Sequence, residues 1–294
     1  QGGEPMIYLN IGEPDFSAAP AVQAAAAACV QGGRTQYTHA TGLPELRQRI
    51  AGWYASRFGV GVDPGCIVIT AGASAALQLA CLALFEPGDE VLMPDPSYPC
   101  NRHFVAAVGA QARLLPTTAQ GRYQLDAASV AAAWGPATRG VLLASPSNPT
   151  GTSIAPAEMA AIAQAVRQRG GVSIVDEIYL GLSYDAAYGH SALALPGAAD
   201  NIISINSFSK YFGMTGWRLG WMVVPKALVA PIEKLAQNLY ICASTVAQRA
   251  ALACFEPESM AEYERRREEF RQRRDFVVPA LQDRKSTRLN SSHA

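Results

Sequence analysis

Lys210 stands in the string Asn206-Ser-Phe-Ser-Lys210, directly after the apolar run Ile202–Ile205. A lysine at the mouth of a buried strand is partly desolvated, gives up its proton more readily and can attack an aldehyde as a neutral amine. A lone lysine in a loop is more often a surface group with its stem along the protein, so its companions decide the reading. Arg218 follows eight residues later, between Gly216 and Gly220. With hydroxyls such as Ser207 and, as a weaker helper, Ser209, its planar fork suits a phosphate; alone it would be an ordinary ion-pair partner. Asp176 closes the run Val172-Ser-Ile-Val-Asp176. A carboxylate there needs something positive, either a protonated heterocyclic nitrogen or a structural lysine or arginine. Tyr179 can bring a phenol to the same place. Asn148 lies in Ser145-Pro-Ser-Asn-Pro-Thr-Gly151; Pro149 holds it extended with its amide toward a ligand oxygen, although ligand-free Asn-Pro turns are common. In Thr70-Ala-Gly-Ala-Ser74, Gly72 permits close backbone approach, while Ala73 and Ser74 offer amides and a hydroxyl at a helix start. That is a phosphate cup, weak as a motif. Tyr98, between Pro96 and Pro99, can stack on a flat ligand or fill core.

The elements that must position these groups alternate in type. Strand-like runs fall at Cys66–Thr70, Glu90–Met93, Ala112–Leu115, Gly140–Ala144, Val172–Asp176, Ile202–Asn206 and Leu219–Val224. Helical patterns separate the first five, at Ser74–Phe85, Cys100–Val108, Leu125–Ala133 and Pro156–Arg169. Helices are also expected before the first strand, at Ala21–Gln31 and Pro44–Arg57, and after the last, at Lys226–Gln237 and Thr245–Phe255. This alternation predicts a three-layer α/β/α unit around a mostly parallel seven-stranded sheet, whose ligands gather at the carboxyl ends of the strands. A further strand is expected at Met6–Asn10 and a long helix at Glu258–Leu281, whose mixed charges read as a solvated face.

Composition narrows the class. The 294 residues carry 24 Lys plus Arg against 24 Asp plus Glu, so the excess of basic charge usual in a nucleic-acid binder is absent. Hydrophobic residues make up 49% and mean hydropathy is +0.06, which excludes a disordered chain. No apolar stretch is long enough to span a bilayer. No basic segment followed by an apolar one stands at the start, so a cytoplasmic protein without signal peptide is expected. The six cysteines are scattered without a CxxC pair, which favours reduced thiols over a zinc site or a disulfide framework and leaves no metal site predicted.

Taken together, an aldehyde-reactive lysine, a carboxylate, an Asn/Tyr pair, a stacking ring and two phosphate devices describe a receptor for pyridoxal 5′-phosphate. The chain also resembles the class I/II aminotransferases of the aspartate aminotransferase superfamily, the fold-type-I pyridoxal-phosphate enzymes. The resemblance rests on Asn10-Ile-Gly-Glu-Pro-Asp-Phe16, Tyr37-Thr-His-Ala-Thr-Gly-Leu43, the Gly72 turn, Asn148-Pro-Thr-Gly151, Asp176-Glu-Ile-Tyr179 and Ser207-Phe-Ser-Lys210 through Arg218. The separations fit as well: 28 residues from Asn148 to Asp176, three more to Tyr179 and eight from Lys210 to Arg218.

The resemblance implies that Lys210 forms the imine with the cofactor and then shuttles a proton as general acid/base. Asp176 would hold the pyridine nitrogen protonated, Asn148 and Tyr179 would bind the ring hydroxyl, and Tyr98 would stack on the ring. Ala73, Ser74, Ser207 and Arg218 would hold the phosphate, and Tyr37 would reach the phosphate of a neighbouring subunit in a homodimer. Gly12 would touch the substrate carboxylate through its backbone, with Asn148 also at the substrate. Residues 1–33 are expected to form an N-terminal arm and small-domain segment, 34–257 the cofactor-binding domain, 258–283 a helix leading to a small domain that is otherwise missing, and 284–294 a non-native or disordered tail. The family's arginine for the substrate α-carboxylate finds no match. The implied activity is exchange of an amino group between an L-amino acid and a 2-oxo acid by a ping-pong mechanism, with no nucleic-acid or membrane partner. The alternatives are a pyridoxal-phosphate carbon–sulfur lyase, a non-catalytic sensor domain, and an inactive fragment.

Overall fold

Each of the seven β-rich runs folds into a strand in the computed structural model, which describes residues 12–282. They are β1 (Ile67–Thr70), β2 (Glu90–Asp95), β3 (Gln111–Pro116), β4 (Thr138–Ala144), β5 (Val172–Asp176), β6 (Ile202–Ser207) and β7 (Gly220–Val223). The expected strand at 6–10 and the tail at 284–294 lie outside the described residues. One sheet results, in the order β1-β7-β6-β5-β4-β2-β3. The neighbours from β6 to β3 run parallel, whereas β7 is antiparallel to both β1 and β6.

The helices are α1 (Pro20–Gln31), α2 (Pro44–Phe58), α3 (Gly72–Leu84), α4 (Asn101–Ala106), α5 (Ala127–Ala133), α6 (Pro156–Arg167), α7 (Ala198–Asn201), α8 (Lys226–Tyr240), α9 (Thr245–Ala251) and α10 (Pro257–Gln282). Strand alternation sends side chains to two faces. Val91, Met93, Leu142, Ile174, Ile203 and Met222 pack on one face under α3 and α8, while Val141, Leu143 and Val175 pack on the other against α6. At the β1–β7 end, Ile67, Ile69, Trp221 and Val223 are covered by Leu46, Ile50, Trp53 and Tyr54 of α2. Those four recur on one stripe of the helix, which starts on Pro44 and ends at Gly59 in the left-handed conformation, φ 66°. Ala19, which caps α1, and Val22 within it join the same cluster, so the N-terminal helix packs with the sheet layers rather than apart from them.

Two expectations need correction. The helix after β1 begins at Gly72, which places Ala73 and Ser74 inside its first turn. On α10, Arg265 and Arg271 are exposed as the charge pattern implies, but Arg266 is buried. Its guanidinium donates to the Ser17 carbonyl at 2.6 Å and to Glu262 at 2.7 Å, and lies over the Phe16 ring. A bonded arginine can be buried where an unpaired one cannot, and here it ties α10 to the segment before α1.

Candidate functional site

The carboxyl ends of β4, β5 and β6 open into a cleft of about 1230 Å³. Lys210, Asp176, Asn148, Tyr179, Tyr98, Ala73, Ser74 and Gly12 all line it. Strand order explains the gathering. Ala144 at the end of β4 pairs with Asp176 at the end of β5, and Asp176 pairs with Ile205 of β6, so three separate stretches of sequence finish side by side.

Asp176 is buried and its carboxylate accepts one hydrogen bond, from the Ile178 amide at 3.0 Å. Burial pushes its carboxyl up to about 6, because the charged form has lost water without gaining a cation. Asn148 Nδ2 lies 3.4 Å from the Tyr179 hydroxyl, joining the amide and the phenol over a gap of 31 residues. Burial, and next the Asp176 charge, raise the Tyr179 phenol above its ordinary range. The Tyr98 phenol is pushed up to about 12 by its hydrogen bond with Cys100 and by burial.

Lys210 Nζ donates to the Gly12 carbonyl and sits 5.8 Å from the centre of the Tyr179 ring. Desolvation lowers its pKa, opposed by the Glu13 charge and assisted by Arg218. The neutral amine is therefore more accessible than in a solvated lysine.

A second cluster lies where β1, β7 and β6 meet. Gly220 is the partner of both Thr70 and Ser207, so the ends of β1 and β6 flank the start of β7. Arg218 adopts φ 52° and Gly72 adopts φ 84°. A Cβ on Gly72 would stand 2.6 Å from Arg218 Nη2, so the guanidinium lies against the backbone that opens α3. Only glycine permits that approach at that dihedral. Ser207 and Ser209 are buried close by, with their hydroxyls 2.9 Å apart. Neither they nor Arg218 lines the large cleft.

Tyr37 stands apart, 77% exposed and outside the cleft. Its loop is held by Gln248, which accepts from the Leu43 amide at 2.8 Å and donates to Thr38 at 3.0 Å.

Two groups escaped the sequence reading. Glu177, beside Asp176, faces away from the cleft and accepts from Ser204 Oγ at 2.7 Å, Ser191 Oγ at 2.9 Å and the Ala192 amide at 2.6 Å. Burial pushes its carboxyl up to about 7, and its bonds lock the end of β5 to β6 and to the loop beyond. The pattern Asp-Glu after a buried strand was the available signal. Arg122, at the rim of the cleft, has no sequence signal at all, because its turn is defined by backbone dihedrals. Among the described residues no group of three or more His, Cys, Asp or Glu could hold a metal, all six cysteines are free, and no helix is long and apolar enough to cross a membrane.

Comparison with known proteins gives the family. The family model described as aminotransferase class I and II matches residues 4–294. A valine–pyruvate aminotransferase of Mycobacterium tuberculosis is 42% identical over 257 residues, which are 87% of this chain and 66% of that protein. An arginine–pyruvate transaminase of Pseudomonas aeruginosa is 38% identical over 282 residues, 96% of this chain and 71% of its own length. The crystal structure of an aminotransferase from Mycobacterium tuberculosis superposes with a TM-score of 0.88 at 41% identity, covering 92% of this chain and 70% of that one. The chain thus spans about two thirds of the length of these relatives.

Proposed function

From the premise that the chain belongs to the class I and II aminotransferases, we propose that it carries a pyridoxal-phosphate transaminase site that moves an amino group between an L-amino acid and a 2-oxo acid in two half-reactions. The observation that carries the reading is the meeting, in one cleft, of a desolvated amine, a buried carboxylate and an amide–phenol pair.

The residues fit the cofactor on chemical grounds. Among the described residues Asp176 has no cationic partner, and a protonated pyridine nitrogen would supply one. The Gly72 turn with Arg218, backed by Ser207, offers amides and a guanidinium to a phosphate at a helix start. When bound, pyridoxal phosphate supplies an electron sink for the charge left on a substrate carbon. Lys210 is the amine that would hold the aldehyde and afterwards carry a proton, and its lowered pKa serves both tasks. Asn148 and Tyr179 would donate to the ring oxygen. Tyr98, on the cleft wall, would cover the ring. The same premise extends to a homodimer in which the exposed Tyr37 serves the neighbouring site.

Absorption spectra and product analysis test the reading. The wild-type chain with pyridoxal phosphate should gain a visible band that survives gel filtration, and Lys210→Ala should lose it together with about a thousandfold or more of turnover. Turnover retained in Lys210→Ala, or no band in the wild type, would overturn the assignment. Pyruvate, named for both relatives, is the acceptor to try first. Alanine as product supports transfer, whereas release of ammonia would place the chain among the lyases.

A further inference from the structure

Arg122 lines the same cleft as Lys210 and Asp176, and among the described residues its guanidinium meets the Tyr188 ring but no carboxylate or carbonyl acceptor. Its Cζ lies 4.6 Å from the centre of the Tyr188 ring, which also lines the cleft. The ring therefore backs the guanidinium, while its donors stay free for a planar acceptor.

The backbone beneath it is tightly held. Arg122 and Tyr123 both adopt left-handed dihedrals, φ 56° and 54°, which cost energy in non-glycine residues and persist only when surroundings enforce them. Here the Arg122 amide donates to the Ala119 carbonyl at 3.0 Å and the Tyr123 amide to the Thr118 carbonyl at 2.8 Å. Two residues on, Gln124 Nε2 donates to the Thr152 carbonyl at 2.9 Å and to the Ala144 carbonyl at 3.3 Å. Those acceptors bracket the loop that carries Asn148. The arginine is thus fixed relative to the site rather than tethered to a free loop.

The other charges on the cleft wall are engaged. Arg274, the second arginine lining it, is paired with Asp275 at 2.6 Å. Asp185 accepts from the Ala187 amide at 2.8 Å. Asp176 and Lys210 belong to the cofactor set. Arg122 is left as the charged group on the cleft wall with unspent donors.

We propose that Arg122 is a specificity-determining residue that binds the side-chain carboxylate of a dicarboxylic amino acid or its 2-oxo acid, held flat for a two-bond grip by the ring of Tyr188. The assignment rests on the transaminase reading for the chemistry, but binding can be measured without turnover. Glutarate and butyrate, which differ by one carboxylate, are titrated calorimetrically into the full chain, with and without pyridoxal phosphate. The wild type should bind glutarate about 10- to 100-fold more tightly than butyrate, as a charge-assisted pair implies. In Arg122→Gln that ratio should fall to within about threefold of one, with Arg122→Lys between, because a lysine lacks the fork. Using the ratio removes any general loss of folding from the comparison. Glutarate that fails to bind the wild type, or a ratio unchanged in Arg122→Gln, would overturn the proposal. The two readings fail separately. An Arg122-dependent ratio without conversion of any amino acid sinks the transaminase, whereas turnover with an indifferent ratio sinks the role of Arg122.

Discussion

The long helix α10 and the carboxyl edge of the sheet handle charge in opposite ways. Along α10, Glu262 pairs with Arg265 and Arg266, Glu268 with Arg271, and Glu269 with Arg273, mostly at three- and four-residue spacing on the surface. At the carboxyl edge of the sheet, Asp176 is buried with one backbone donor, and the half-buried Lys210 donates to one carbonyl. The helix has many charges at little individual consequence, since exposed pairs gain little over their hydrated forms. The sheet edge has few charges, and their shifted pKa values mean that each is held in an environment a water-exposed group would avoid. Charge without a partner, not abundance of charge, marks the candidate site.

Asp176→Asn should break the contrast most. Its carboxyl is raised from 3.8 to about 6, so the folded chain holds a proton that the unfolded chain has released. The stability lost to this group is nil below about pH 4, grows as pH rises toward 6 and is complete above it. Two units correspond to on the order of 3 kcal/mol. In denaturant titrations without cofactor, the asparagine variant should therefore gain on the wild type as pH rises from 4 to 7, while binding pyridoxal phosphate less well. Equal stability at every pH would show that the carboxylate already has a counter-charge. Gly72→Ala should come next. A methyl at φ 84°, 2.6 Å from Arg218 Nη2, should lower stability by about 1–3 kcal/mol and weaken cofactor binding, read from melting curves with and without pyridoxal phosphate. The smallest effect should come from the helix. Glu268→Gln removes one of the two partners of Arg271, the other being Asp275, and the melting temperature should stay within about 1–2 °C. A larger drop would mean that the α10 pairs act as a network.

Much of this arrangement could be read from residue order because it follows from local pattern. Short apolar-rich runs of four to seven residues mark every strand, and the groups that follow β4, β5 and β6 had to share an edge once the sheet was parallel. The antiparallel course of β7 was not legible. Gly220–Val223 is apolar at every position and gives no sign of direction. Glu177 has no legible role in the sequence, because its burial depends on donors from Ser191 and Ser204, 14 and 27 residues away. Asn148 and Tyr179 could be named as a pair, but the 3.4 Å approach of amide to phenol exists only in three dimensions. Arg122 is the extreme case, a residue whose meaning lies in its dihedral and in a ring 66 positions later.

The reversed strand also governs when the site can come into being. Thr70 meets Gly220 across 150 residues of intervening chain, and the Gly72–Arg218 contact depends on that meeting. A chain growing from its amino end has the lysine and the glycine turn in hand before the arginine and β7 arrive to join them. Closing so long a loop is a late event in folding. The pocket around Gly72 is therefore a property of the finished sheet, and a cofactor that needs it would be captured only after the last strand has slid between the first and the sixth.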